Sequence, residues 1–422
     1  MDKFIIEGGT QLNGTLKVSG SKNSALPILA ATVLTRGIST IRNVPQLSDI
    51  RFMLQILKYL GAVITFEDGV VTIDAAEISS VTPYDLVRKM RASVCLLGPI
   101  LARNKEVTIS LPGGCVIGDR PIDIHLRGIE ALGAEVTSTG GNIHAAAREL
   151  VGTEVNMGGK FGSTVLGTDN IMMAATLAKG TTVIEQAACE PEVVDLANLL
   201  NKMGAKITGA GTRTIVIEGV KELNGVEYDV IPDRIEAGTF LVAVAATGGT
   251  LTLEGVDVSH QSALLAQLKQ CKAQIEVGAT SITIKGQPPV CSLEILTETY
   301  PGFPTDMQAQ MCALLTVTKG ISFITEKIYP NRFMHVSELK RLGSDIKMEG
   351  ATAIIRGVPE LIGAPVMASD LRASAALVIA GLMAKGRTEI NRVYHIDRGY
   401  EQIDKKLNSV GARILRAKDT EP

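Results

Sequence analysis

Residues 59–66 read YLGAVITF, and the same construction returns as ALGAEVTS at residues 131–138. KMGAKITG at 202–209, QCKAQIEV at 270–277, RLGSDIKM at 341–348 and SVGARILR at 409–416 complete the series. Each starts in helix-period sequence, passes one pivotal residue and continues as an alternating run of β-branched residues. The pivots are Gly61, Gly133, Gly204, Lys272, Gly343 and Gly411. A glycine at that point supplies a left-handed helix cap, and the alternation after it reads as a strand. The marker recurs at intervals of about 70 residues, which is the signature of an internally duplicated architecture.

A second marker keeps step with the first. AATVLTRGISTI, GPILARNKEVTI, AATLAKGTTVIE, AVAATGGTLTLE, ALLTVTKGISFI and AGLMAKGRTEIN each end an apolar, small-residue helix in a turn and then a strand. The repeat unit therefore runs strand, apolar helix, strand, amphipathic helix and hairpin, the last exemplified by ITFEDGVVTI. The first helix is apolar on all sides and is expected to be buried; the second, as in DIRFMLQILKYLG, carries charge on one face. Three units closing around their own buried helices make one domain of about 210 residues. Six units make two such domains in an α/β fold, over residues 21–230 and over 1–20 plus 231–422. The first strand, about residues 3 to 20, is expected to close the second domain.

Composition narrows the function. The chain has 422 residues, 45% hydrophobic and 20% charged, with a formal net charge of −2. That balance is globular, and no global field draws the protein to nucleic acid or to an anionic membrane. The start MDKFIIEGG has no signal-peptide pattern, and the longest apolar stretch, Ala373 to Ala384, is too short to span a bilayer. A cytoplasmic protein without membrane insertion is expected. Six cysteines and five histidines are dispersed, without metal or redox spacing. GAGTRT at Gly209 begins like a dinucleotide fingerprint but sits in a hairpin and ends in Thr, and no phosphate-binding P-loop is present.

One cysteine stands apart. Residues 111–121, LPGGCVIGDRP, place Cys115 between a glycine pair and a positive charge, with no apolar periodicity. Paired glycines loosen the backbone, and a nearby cation favours the thiolate. The other cysteines lie in apolar or strand-like surroundings and read as small buried hydrophobes.

Polar residues recur just before each apolar helix. VSGSKNSALPIL, VRKMRASVCLLG, GKFGSTVLGTDNIMM, IPDRIEAGTFLV, YPGFPTDMQAQM and MASDLRASAALV place Lys22, Arg91, Lys160, Arg234, Asp306 and Arg372 near a helix start. Helix N-termini favour anions, and Lys or Arg there strengthens the preference. Asp306 is the exception. It reads either as part of an ordinary helix start with Thr305 as cap, or as a base toward a substrate hydroxyl. YHIDRGYE adds Asp397 and Arg398, and NRFMHV adds Arg332. Clustered cations, one carboxylate and a loop cysteine suggest an enzyme for a multiply anionic substrate.

These segments resemble the enolpyruvyl transferase family over essentially the whole chain. SGSKNSALP, MRAS, LPGGCVIGDRPID, IPDRIEAGTF, YPGFPTDMQAQ, NRFMHV, DLRASAALVIAGL and HIDRGYE are similar to its motifs, in order. The LPGGC loop and FPTDMQAQ favour the branch that acts on UDP-N-acetylglucosamine (UDP-GlcNAc) over the branch that acts on shikimate 3-phosphate.

The resemblance implies two inside-out α/β domains, each with threefold internal symmetry, and an active site in the cleft between them. It implies transfer of an enolpyruvyl group from phosphoenolpyruvate to the 3′-hydroxyl of UDP-GlcNAc with release of phosphate. That step commits material to peptidoglycan, and it needs no metal or organic cofactor. By the same resemblance Lys22, Asn23, Arg120 and Arg398 hold phosphoenolpyruvate, with Arg372 nearby. Asn23, Arg91, Arg120, Pro121, Ile122, Asp123, Ile124, His125, Lys160, Asp306, Ile328 and Arg332 position or enclose the sugar nucleotide. Asp306 takes the proton from the 3′-hydroxyl, while Cys115 acts as acid toward C3 of the enolpyruvate or assists product release.

The chain departs from the family around Lys160, where GKFGSTVLGTDN replaces a shorter SVGAT segment, and at Cys95 and Pro330. The main alternative is a transferase for another acceptor, such as shikimate 3-phosphate. A ring-shaped DNA clamp also uses six α/β units, but it needs basic helices, and these are apolar or mixed in charge.

Overall fold

The computed structural model describes residues 2–111, 122–287 and 292–418. Six buried helices organise it: Lys22–Ala31, Leu97–Asn104, Val165–Ala175, Arg234–Thr247, Gln308–Leu315 and Leu371–Met383. Every residue from Ile235 to Ala245 is buried in the fourth, and every residue from Arg372 to Leu382 in the sixth. A helix with no polar face has no stable place on a surface, so the first three pack with one another, and the last three do the same. The amphipathic helix Ser48–Leu60 behaves differently. It buries Ile50, Met53, Leu54, Ile56, Leu57 and Leu60 while Arg51, Gln55, Lys58 and Tyr59 stay exposed.

The pivot after that helix is Gly61, with φ 118° and its N–H directed to the carbonyls of Leu57 and Lys58. Gly133, Gly204, Gly343 and Gly411 share the positive φ, and Lys272 adopts it at φ 62° without being glycine. The hairpin that follows pairs Val63–Glu67 with Val70–Asp74, closing at Glu67 opposite Val70. Asp68 and Gly69 both have positive φ there, which matches a two-residue turn to the strand twist.

One sheet pattern recurs. An edge strand runs parallel to a central strand, which pairs antiparallel with one arm of a hairpin, whose other arm forms the far edge. Thus Glu154–Asn156 runs parallel to Thr181–Glu185, with Thr214–Glu218 and Lys206–Thr208 beyond. In the second unit a single bridge between Val81 and Thr108 stands for the edge strand. In the sixth, Asp2–Glu7 is the inner partner of Ile414–Lys418.

The described residues divide into two compact units, one made of those from Gly20 to Ile231, the other of those up to Ser19 and from Pro232 on. Each has its own core, the first including Ile28, Ile41, Leu101 and Ile171, the second Phe4, Phe240, Leu314 and Ile379. An exchange of edge strands creates this division. Leu12–Lys17 precedes helix Lys22–Ala31 yet pairs with Gly249–Glu254, and Glu227–Asp229 precedes helix Arg234–Thr247 yet pairs with Ile38–Arg42. The start of the chain is two strands rather than the single one expected. Asp2–Glu7 and Leu12–Lys17 enter different sheets, and Gly8 lies so close to the Ala384 carbonyl that a Cβ would meet it at 2.0 Å. Among the described residues no helix is long and apolar enough to cross a membrane.

Candidate active site

In the unit from Gly20 to Ile231, Ser21 caps the first buried helix by accepting from the Ser24 N–H, so Lys22 and Asn23 stand at its start. The Lys22 ammonium lies 3.6 Å from Asp49, itself buried in the first turn of Ser48–Leu60. The Ser24 hydroxyl donates to Asp195, which also accepts from the Tyr228 hydroxyl at 2.6 Å and the Ile231 N–H at 3.3 Å. Burial raises the Asp195 carboxyl above its usual range, and these three donors offset part of that rise. The network pins the helix start on which Lys22 sits.

Arg91 opens the short 3-10 helix Arg91–Leu96, and Asp123 opens the helix Asp123–Ala131. Asn170 joins these two segments. Its side-chain oxygen accepts from the Gly98 N–H at 2.9 Å, which turns its amide nitrogen toward the Val94 carbonyl and His125 Nδ1, at 2.9 and 3.0 Å. A donor facing Nδ1 leaves the imidazole proton on Nε2. Burial, reinforced by the Arg91 charge, pushes His125 down to about 4, so the ring is neutral near pH 7.

Lys160, expected from sequence near a helix start, stands five residues before the helix Val165–Ala175. Thr164 caps helix Val165–Ala175, and Lys160 sits exposed between the two-residue strands Gly158–Gly159 and Gly162–Ser163. Its ammonium lies 5.3 Å from the centre of the Phe161 ring. The ribbon packs against Ile124, and a Cβ on Gly159 would come within 2.7 Å of the Ile124 side chain. Arg91, Asp123, Ile124, His125 and the Lys160 ribbon are thereby brought together, with Ile122 buried beside them.

In the other unit the geometry centres on Asp306. One oxygen lies 2.8 Å from Arg332 Nη1, the other 2.8 Å from Arg372 Nη2. Both arginines are almost fully buried, and Asp306 is about a quarter exposed at 26%. Burial is the strongest single influence and opposes the Arg372 charge, but Asp306, Tyr400 and Asp233 together outweigh it and hold the guanidinium above its ordinary value. A carboxylate oxygen can accept more than one hydrogen bond, so being held by arginines does not by itself bar Asp306 from accepting a substrate proton. Asp370 caps the last buried helix through the Arg372 and Ala373 N–H groups, fixing where Arg372 leaves the backbone. The Arg372 guanidinium also lies 5.5 Å over the Tyr400 ring, and the Tyr400 hydroxyl is tied to Thr239 and Gln310 at 2.8 and 3.2 Å.

Thr305 is not a helix cap. It is the first residue of the 3-10 helix Thr305–Met307, with Pro304 in the capping position, and its hydroxyl donates to Glu326 instead. Ile328 follows in the turn after strand Ile321–Thr325. Arg398 ends the short helix Val393–Arg398, and its charge, added to the larger effect of burial, lowers His395. Asp397 forms a two-pronged pair with Arg416 at 3.0 and 2.6 Å. Arg234 stacks 5.6 Å over Tyr300. Cys115, Arg120 and Pro121 lie outside the described residues. Asp49, Asn170, Asp195 and Glu326 were not singled out from the sequence. A lone Asp, Asn or Glu in a helix or strand carries no signal of the distant partner it will meet.

Comparison with known proteins places this geometry in a family. The model of the EPSP synthase (3-phosphoshikimate 1-carboxyvinyltransferase) family matches residues 6–407, and the chain belongs to that family. Two relatives named UDP-N-acetylglucosamine 1-carboxyvinyltransferase are similar throughout. That of Methylacidiphilum infernorum is 60% identical over 416 residues, and that of Akkermansia muciniphila 56% over 423, each alignment covering 99% of both chains. Among solved structures, the enolpyruvyl transferase NikO from Streptomyces tendae superposes with a TM-score of 0.89 at 24% identity, covering 99% of each chain. An EPSP synthase from Acinetobacter baumannii gives 0.75 at 19% identity, over 99% of this chain and 100% of its own. These two establish the fold: α/β, with two inside-out domains of three repeats each.

Proposed function

We propose that the chain transfers the enolpyruvyl group of phosphoenolpyruvate to the 3′-hydroxyl of UDP-GlcNAc by addition and elimination. In the addition, a C–O bond forms between the 3′-oxygen and C2 of phosphoenolpyruvate. Asp306 takes the hydroxyl proton and C3 gains one, becoming a methyl group. In the elimination, C3 loses a proton and the C2–O bond to phosphate breaks, releasing inorganic phosphate. The observation that carries this reading is Asp306, partly exposed and gripped at 2.8 Å by two buried arginines. Fixed charges aimed at a reacting centre need no reorganisation during the reaction.

Lys22, Asn23, Arg120, Arg372 and Arg398 are assigned to phosphoenolpyruvate. Asn23, Arg91, Arg120, Pro121, Ile122, Asp123, Ile124, His125, Lys160, Asp306, Ile328 and Arg332 are assigned to UDP-GlcNAc. Cys115 delivers the proton to C3 or helps the product leave. The full-length relatives at 60% and 56% identity carry the name of this activity, which supports UDP-GlcNAc over a shikimate ester as acceptor. The reaction then belongs to the cytoplasm, at the first committed step of peptidoglycan synthesis. Phosphate release measured with phosphoenolpyruvate and each acceptor in turn tests the reading. Turnover with UDP-GlcNAc is expected, and turnover with shikimate 3-phosphate alone would overturn it.

A further inference from the structure

Glu326 is a buried carboxylate, 1% exposed, at the end of strand Ile321–Thr325. Its two oxygens have separate clients. Oε1 accepts from the Thr297 hydroxyl at 2.7 Å and from the N–H groups of Ile328 and Tyr329 at 2.9 and 3.0 Å. The Lys327 N–H is held by the same Thr297 oxygen at 2.9 Å, so three successive N–H groups of the turn are fixed. Oε2 accepts from the Thr305 hydroxyl at 2.9 Å. Because Thr305 spends its proton on Glu326, its lone pairs face Arg332 Nη1, which donates at 3.0 Å and lies 2.8 Å from Asp306.

We infer that Glu326 is a positioning residue that sets two parts of the site at once, the Ile328 turn through Oε1 and the Arg332–Asp306 pair through Oε2 and Thr305. This rests on the assignment of Asp306 and Ile328 to UDP-GlcNAc. A buried carboxylate with all these donors keeps its acceptors in fixed directions, and a misplaced base of about 1 Å costs on the order of a hundredfold in rate.

The two limbs separate chemically. In Glu326→Gln the amide oxygen keeps the turn, since two N–H groups and a hydroxyl can only be met by an acceptor there. The amide nitrogen then faces Thr305, turns its hydroxyl from donor to acceptor and sets it against Arg332. Glu326→Ala removes both limbs.

Steady-state kinetics of the full chain tests this, after wild-type turnover with UDP-GlcNAc has been established. Lack of wild-type turnover defeats the functional reading itself and is read before any variant is made. Glu326→Gln is expected to lower kcat about tenfold or more while KM for UDP-GlcNAc stays within about threefold. Glu326→Ala is expected to lower kcat and also to raise that KM about tenfold, with KM for phosphoenolpyruvate little changed. Thr305→Val breaks the second limb without touching Glu326, so it gives a reading even if a Glu326 variant fails to fold. It should reproduce the kcat loss, and combined with Glu326→Gln it should add little further. Equal kcat in Thr305→Val and wild type, multiplicative losses in the double variant, or a Glu326→Gln effect confined to thermal stability would each overturn the assignment.

Discussion

Asp306 Oδ2 lies 2.8 Å from Arg372 Nη2, and the guanidinium leaves a buried helix start whose backbone is capped by Asp370. The carboxylate is thus aimed by a group that cannot swing away without unpacking the helix. If Asp306 is the base, Asp306→Asn keeps the size of the side chain and removes its ability to take a proton. Turnover is expected to fall about a hundredfold to ten-thousandfold. Calorimetric affinity for UDP-GlcNAc should stay within about fivefold, because the change acts on the transition state rather than on ground-state binding. Unchanged phosphate release would remove Asp306 from that role.

The repeat was legible because backbone geometry dictated it. A left-handed pivot after a helix requires glycine or a tolerated substitute, and the flanking helix and strand periods do not depend on distant contacts. Arg372 was legible only as one of the cations before apolar helices, and Arg332 only as the arginine of NRFMHV, with nothing in sequence joining them at Asp306. Glu326 and Asn170 were not legible, since their roles come from partners 21 and 29 residues away for Glu326 and 45, 72 and 76 away for Asn170. Lys160 was misplaced for a related reason. Sequence placed Lys160 only by its nearness to an apolar helix, whereas the chain folds GKFGS into a ribbon seated on Ile124.

Lys272 gives a test of the repeat itself. It occupies the pivot position at φ 62°, is exposed, and pays the left-handed penalty that glycine avoids at the other five pivots. Lys272→Gly is expected to stabilise its unit by about 1 kcal/mol. Gly61→Ala should do the reverse, since φ is 118° and a Cβ would meet the Glu77 carbonyl at 2.8 Å. Urea denaturation of the two variants measures both, and a destabilised Lys272→Gly would contradict the strain argument.

Acid should weaken both units. Burial, with Arg91 adding to it, lowers His125 to about 4, and burial, with Arg332 adding to it, lowers His335 to about 4, each from 6.5. A folded value below the unfolded one means that the unfolded chain binds protons first. The stability these rings contribute is whole above pH 6.5 and is lost as pH falls through the window to about 4. At full protonation each ring withdraws roughly 3 kcal/mol. Melting temperatures between pH 7 and pH 4.5 should fall less steeply in His125→Gln and His335→Gln than in wild type. Parallel curves would show that neither ring carries the effect.

Cysteine labelling separates Cys115 from the four cysteines among the described residues. Burial pushes the Cys312 thiol up to about 12 and Cys95 well above its ordinary value, and Cys271 is buried as well. Cys189 is partly exposed, but burial and the neighbouring Glu190 also raise its thiol. Cys95, Cys189 and Cys312 are therefore poor sources of thiolate at neutral pH, and the thiolate is the form that alkylates, while burial shields Cys271 from the reagent. Cys115, directly after the Gly113–Gly114 pair and with Arg120 five residues on, has the opposite surroundings in sequence. Iodoacetamide, and the epoxide fosfomycin, are expected to abolish phosphate release with one adduct per chain on the peptide containing Cys115. Cys115→Ser should resist both reagents. Inactivation accompanied by an adduct on Cys189 instead would move the reactive thiol to the start of helix Pro191–Lys202 and leave Cys115 without its assigned chemistry.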